Sequence, residues 1–152
     1  MSDIQDPSEP FIVVGIDGSD ASRDALRWAA RQAELTGASL RAVMTWHMPA
    51  AAYGTPMPVP VDMDLPGESR RALDRVIADS LDGTAAFKVS STVVEGHPAV
   101  ELLRAARAAE LLVVGSRGHG AFAGMLLGSV SEHCVSHAPC PVVVVRYSSH
   151  PA

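Results

Sequence analysis

Leu111-Leu112-Val113-Val114-Gly115-Ser116-Arg117-Gly118-His119-Gly120, followed after seven intervening residues by Gly128-Ser129-Val130-Ser131, is the stretch from which the rest of the chain can be read. Four consecutive apolar residues run straight into a glycine-rich turn, the pattern of a buried strand ending at a site of close backbone approach. Gly128-Ser129 then opens a short helix, expected over residues 130–136. The first turn of a helix leaves backbone N–H groups without partners, and its dipole favours an anion. Two such backbone devices on one segment point to a ligand that carries phosphate.

Working outward, the same grammar recurs. Residues 11–16 form an unbroken apolar run that ends in Asp17-Gly18-Ser19, a strand covered on both faces. Ser19 or Asp20 can cap the next helix, whose Leu26, Ala29, Ala30 and Ala33 share one face and whose end Gly37 marks. A second strand is expected over 40–46. Residues 47–66 hold five prolines and little periodicity, which reads either as a functional loop or as a plain connector. A helix over 68–81 follows, with Leu73, Val76, Ile77 and Leu81 aligned. After it come a strand over 87–94, a turn at Gly96-His97-Pro98, a helix over 100–109, the strand 111–114, the helix 130–136 and a last strand of Val142, Val143, Val144 and Val145.

Strand–helix alternation four times over, closed by a strand, specifies an α/β fold with a parallel sheet and helices on both faces. Ligands of such sheets sit beyond the carboxyl ends of the strands, where strand order reverses. If the first and fourth strands are central neighbours, Asp17-Gly18-Ser19 and the turn from Gly115 meet there. The expected organisation is a flexible segment over 1–10, one nucleotide-binding domain over 11–147 and a flexible tail over 148–152.

Composition narrows the function. The chain has 152 residues, 47% hydrophobic and 19% charged, with a formal net charge of −5. That suits one packed domain and argues against a nucleic-acid partner, which leaves a basic patch. No apolar run approaches the ~20 residues of a membrane helix. The N-terminus is polar and acidic, unlike a secretory signal, and there are two cysteines, Cys134 and Cys140. The cytoplasm is therefore the expected location. Among 12 basic residues Lys88 is the one lysine, and none follows either glycine element, which excludes the usual P-loop.

The spacing Gly115-x2-Gly118-x9-Gly128-Ser129 resembles that of the ATP-binding universal stress proteins. Val13-Val14-Gly15-Ile16-Asp17-Gly18-Ser19, Ala42-Val43, Glu95-Gly96-His97-Pro98 and Pro139-x-Pro141 with the valines after it resemble that family in the same order. The resemblance implies an adenine nucleotide alpha-hydrolase-like, Rossmann-like domain with strand order 3-2-1-4-5, binding ATP between strands one and four. By the same resemblance Gly15, Ile16 and Asp17 lie at the nucleoside and Val43 meets the adenine through its main chain. Gly115, Arg117 and Gly118 line the ribose and phosphate turn, and Gly128, Ser129, Val130 and Ser131 serve the phosphates. It also implies a homodimer joined through Val142 to Val145, a use that would cover an apolar sheet edge.

Each candidate has a plainer reading. Gly115 and Gly118 could serve only a tight turn, Asp17 and Ser19 only a helix cap, and Arg117 only a solvated turn. A carboxylate near phosphates suits Mg²⁺, so Asp17 is the candidate metal ligand if phosphates bring the ion. His133 and His137 lie one helical turn apart without an evident third ligand, which favours a structural or surface role. No residue is singled out as catalytic: the turn lacks a lysine, and no base is evident to orient water, so slow ATP hydrolysis at most is expected. The leading expectation is a nucleotide-dependent stress-response switch. The rivals are a module for cyclic AMP or another adenylate, and an enzyme using ATP at the same crevice.

Overall fold

The computed structural model describes residues 9–48, 64–81, 83, 87–117 and 126–146. Most of both expected flexible ends, the proline-rich stretch 49–63 and Gly118 lie outside these residues. Among the described residues nine elements follow one another: β1 (Phe11–Ile16), α1 (Asp20–Thr36), β2 (Ser39–Trp46), α2 (Leu65–Ser80), β3 (Val89–Glu95), α3 (Pro98–Ala105), β4 (Leu111–Gly115), α4 (Ser129–His137) and β5 (Val142–Val145). The strands form one parallel sheet in the order β3-β2-β1-β4-β5. The expected order is thus present, with β1 beside β4 in the register Val14↔Val113.

Alternation along the strands divides the core in two. Ile12, Val14 and Ile16 of β1 and Leu40, Ala42 and Met44 of β2 turn towards α1 and α2, where Leu26, Ala29, Ala33, Leu73 and Val76 meet them. The residues between them, Phe11, Val13 and Val43, join Leu112, Val114, Leu102, Ala106 and Cys134 on the face of α3 and α4. Each large side chain buried this way contributes about 1.5–3 kcal/mol. Right-handed crossovers account for the arrangement. Two moves from β1 towards one edge place α1 and α2 on one face, and two moves towards the other edge place α3 and α4 opposite.

Local chemistry sets the element ends. Ser19 takes the N-cap of α1, its Oγ accepting from the Ser22 N–H at 3.2 Å, while Asp20 opens the first turn. Gly37 ends that helix in the left-handed conformation, φ 77°. α2 begins three residues before the expected start, since Asp64 caps it by accepting from the Gly67 N–H at 3.0 Å and Pro66 fits the first turn. Pro66 therefore belongs to a helix rather than to the loop. α3 runs from Pro98 and stops at Ala105, well short of residue 109. Its alanine-rich sequence carries no breaker. The chain turns instead through Ala108 at φ 65°, so that the Glu110 N–H can donate to the Phe11 carbonyl and start β4. Tertiary pairing overrides helix propensity there. β3 is shifted, Val89–Glu95 in place of 87–94.

One residue of the second cluster offers a direct check. Cys134 is fully buried, and burial pushes its thiol from an ordinary 9.0 up to about 11. Cys140 is raised as well, first by burial, with a partly opposing hydrogen bond from Leu112. The folded chain therefore holds the Cys134 proton more tightly than the unfolded chain. Stability is full below pH 9.0 and falls as pH rises towards about 11. Urea unfolding across that window should show the decline, and Cys134→Ala should make it shallower.

Candidate functional site

At the carboxyl end of the sheet, where β1 and β4 diverge, lies a cavity of about 760 Å³. β1 and the turn after it contribute Gly15, Ile16, Asp17, Gly18 and Ser19 to its wall. β2 adds Val43, Met44 and Thr45, and β4 adds Val114 and Gly115, with Arg117 just beyond. The first turn of α4 supplies Ser129, Val130 and Ser131. Nine residues singled out in the sequence thus share one wall, although they come from four separate parts of the chain. Gly128 is not among the lining residues: its N–H donates to the Ser116 carbonyl at 2.7 Å.

The turn after β1 is held by its own side chains. Asp17 Oδ1 accepts from the Ser19 N–H at 2.9 Å and from the Ser19 hydroxyl. The Asp17 N–H reaches Ser22 Oγ at 3.4 Å. Gly18 sits at φ 84°, a left-handed conformation that a side chain would strain. The exposed Asp17 carboxylate is therefore oriented at the mouth of the cavity before any ligand arrives.

Gly115 has a different reason for being glycine. A Cβ there would stand 2.8 Å from the backbone carbon of Ala21 and 2.9 Å from its Cβ and oxygen. The missing side chain lets the first turn of α1 close on β4, so packing alone accounts for this glycine. At Gly15 the obstacle would be the flexible end of Leu102, with Cδ1 at 2.8 Å.

The α4 end of the cavity is built of backbone. Gly128 caps the helix in an extended conformation, φ −72° and ψ 166°, without a side-chain capping bond. Ser131 is buried, and its hydroxyl donates towards the carbonyls of Ser116 and Gly128, at 3.0 and 3.1 Å. That hydroxyl is engaged inside the protein. What the first turn offers an anion is its N–H groups.

The sequence did not single out Thr45, His47, Glu68, Ser69 or Leu102 as site residues, and it read Pro98 only within a turn motif; all six line the cavity, with Ser22 and Ala72. Thr45 and His47 follow the rule that sites form at strand carboxyl ends, and that rule could have found them. Glu68 and Ser69 carried no signal, because their place depends on how α2 docks. His133 and His137 stack on one another at 4.4 Å between ring centroids, and neither lines the cavity. Among the described residues no helix is long and apolar enough to cross a membrane.

Comparison with known proteins places this geometry in context. The model of the universal stress protein family matches residues 11–146. A universal stress protein of Mycolicibacterium smegmatis is 39% identical over 139 residues, covering 89% of this chain and 45% of that protein. The chain spans about half the length of the curated relatives it matches. A solved universal stress protein in complex with cAMP is 30% identical with a TM-score of 0.63, covering 92% of this chain and 98% of that one. A universal stress protein from Archaeoglobus fulgidus in complex with dAMP has 20% identity and a TM-score of 0.64, over 92% and 99% of the two chains, a likeness of fold.

The contact at Gly115 generates a stability prediction. Gly115→Ala forces a methyl against the Ala21 backbone, and overpacking of this kind costs about 1–3 kcal/mol. Urea denaturation should show a loss in that range; an unchanged midpoint would remove the packing explanation.

Proposed function

Because the chain belongs to the universal stress protein family, we propose that it binds ATP at the carboxyl end of the sheet and acts as a nucleotide-dependent regulator in the cytoplasm. The observation that carries the reading is the cavity itself, bounded by the β1 turn, the β4 turn and the first turn of α4. Its volume lies within the ~300–1,000 Å³ range of small-molecule sites. Val43, Met44, Leu102 and Val114 form an apolar wall suited to a purine, with Gly15, Ile16 and Asp17 beside the nucleoside. Arg117 and the N–H groups of Ser129, Val130 and Ser131 would face the phosphates, with Gly115 and Gly118 shaping the turn and Gly128 holding it closed. If the phosphates bring Mg²⁺, Asp17 would be the carboxylate to share it. A metal there would neutralise phosphate charge, a useful contribution where Asp17 and Glu68 both line the cavity.

Regulation requires that ATP bind one conformation better than another. A second reading, cyclic AMP as the ligand, draws on the cAMP complex of the 30% identical structure. It also draws on the internal use of the Gly128 N–H and the Ser131 hydroxyl, which leaves fewer donors for a polyphosphate. Mass spectrometry of small molecules released from protein purified without added nucleotide, followed by calorimetry with ATP and cyclic AMP, separates the two. Absence of any nucleotide in both experiments would defeat the proposal.

The backbone claim has its own variant. Gly128 already holds the extended conformation that a following proline demands, and proline suits the first helical position. Ser129→Pro should therefore remove one N–H from the cavity wall and leave α4 in place. The expected result is a loss of ATP affinity of about tenfold with unchanged thermal unfolding.

A homodimer through β5 completes the proposal. The Leu112 and Ser116 N–H groups donate to the Pro141 and Val145 carbonyls, so alternate residues of β5 face β4. Val142 and Val144 then turn their backbone outward, ready for a second copy. Val144→Pro should leave the β4 ladder intact and shift the protein from dimer to monomer in sedimentation velocity.

A further inference from the structure

Next to the main cavity, on the side of β5, lies a second pocket of about 370 Å³. Ser19 and Arg117 line both, so the two spaces adjoin across the Arg117 side chain. The smaller pocket is completed by Asp20 and Ala21 of α1, Ser116, Leu126 and Arg146. Arg146 follows directly on β5, and no family motif in the sequence includes it.

The chemistry of this pocket is lopsided. Two guanidinium groups border it against one carboxylate, that of Asp20. Neither Arg117 nor Arg146 forms an ion pair with any described residue. Ser116 adds an independent observation. It is 5% exposed; its N–H and carbonyl are engaged with Val145, Gly128 and Ser131, and its hydroxyl has no hydrogen-bond partner among the described residues. Two guanidinium groups without carboxylate partners, with the Ser116 hydroxyl beside them at the pocket wall, make a recess suited to acceptor oxygens.

We propose that this pocket receives the terminal phosphates of a nucleoside polyphosphate whose nucleoside occupies the main cavity, with Arg146 as the specificity-determining residue. The inference rests on the nucleotide reading given above and extends it to a choice among nucleotides. Arg117 stands at the junction of the two spaces and bridges the inner and outer phosphates. Arg146, from the far side of β4, closes on the terminal one, and the Ser116 hydroxyl donates from below. Guanidinium forks match the paired oxygens of a phosphate. A monophosphate or a cyclic phosphate ends before the pocket begins, so it gains nothing from Arg146. The pocket thereby offers the discrimination that the α4 turn lacks, where the Gly128 N–H and the Ser131 hydroxyl are already engaged.

The test is calorimetric titration of the full chain and of Arg146→Gln with ATP, AMP and cyclic AMP, with inorganic tripolyphosphate as a competitor. Arg146 is exposed, so the substitution leaves the core untouched, and a thermal melt verifies this. The expected result is an ATP affinity about tenfold weaker in Arg146→Gln, with AMP and cyclic AMP unchanged. Tripolyphosphate should displace ATP from the original chain and lose that ability in the variant. Arg146→Lys, which keeps the charge without the fork, should recover part of the loss. Equal weakening of ATP and AMP, or no weakening of ATP, overturns the pocket and leaves the main cavity standing. An original chain that binds none of the three nucleotides overturns the reading of the main cavity, and this pocket with it.

Discussion

Parallel pairing of β1 with β4 is the constraint from which the rest follows. Because every crossover in such a sheet is right-handed, a chain that first builds towards one edge and then towards the other must change faces between these two strands. The two segments that leave their carboxyl ends are then driven apart, one to α1 and the other towards α4. The gap between them cannot be filled by either helix. It is bordered instead by the turn after β1 and the first turn of α4, and the residues beside it are dictated by how closely helix and strand approach. Gly115 is the clearest case, since α1 rests against its Cα with no space for a side chain.

The fold was legible because its signals are local. Apolar runs of strand length, glycine and proline punctuation and the spacing of Leu26, Ala29, Ala30 and Ala33 each report on a few neighbouring residues, and all agree with the observed elements. Where the reading slipped, a distant partner was responsible. α3 ends early because β4 has to begin beside β1, and α2 starts early because Asp64 and Pro66 supply a helix start within what reads as a loop. The candidate site divides in the same way. Asp17, Val43 and Arg117 lie close to recognisable motifs, so they could be named in advance. Glu68 and Arg146 come to the cavities through docking of whole elements, and single positions carry no trace of that.

The charges of the site bear on what it can hold. Among the described residues Asp17 and Glu68 border the main cavity with Arg117 as the one arginine, an unpromising balance for a highly charged ligand. Backbone N–H groups alter that balance without adding formal charge, since a helix start presents several donors in a fixed array. They also cost no side-chain entropy on binding. A site built in this way can hold an anion without a lysine.

The 2.7 Å bond from the Gly128 N–H to the Ser116 carbonyl fastens the point where the chain departs from β4 to the point where it returns at α4. The start of α4 is thereby held in register with the end of β4 by a backbone bond, independently of any side chain between them. A substitution that displaced either backbone group would therefore move the N–H array of α4 relative to the sheet, whatever its effect on the side chains of the cavity.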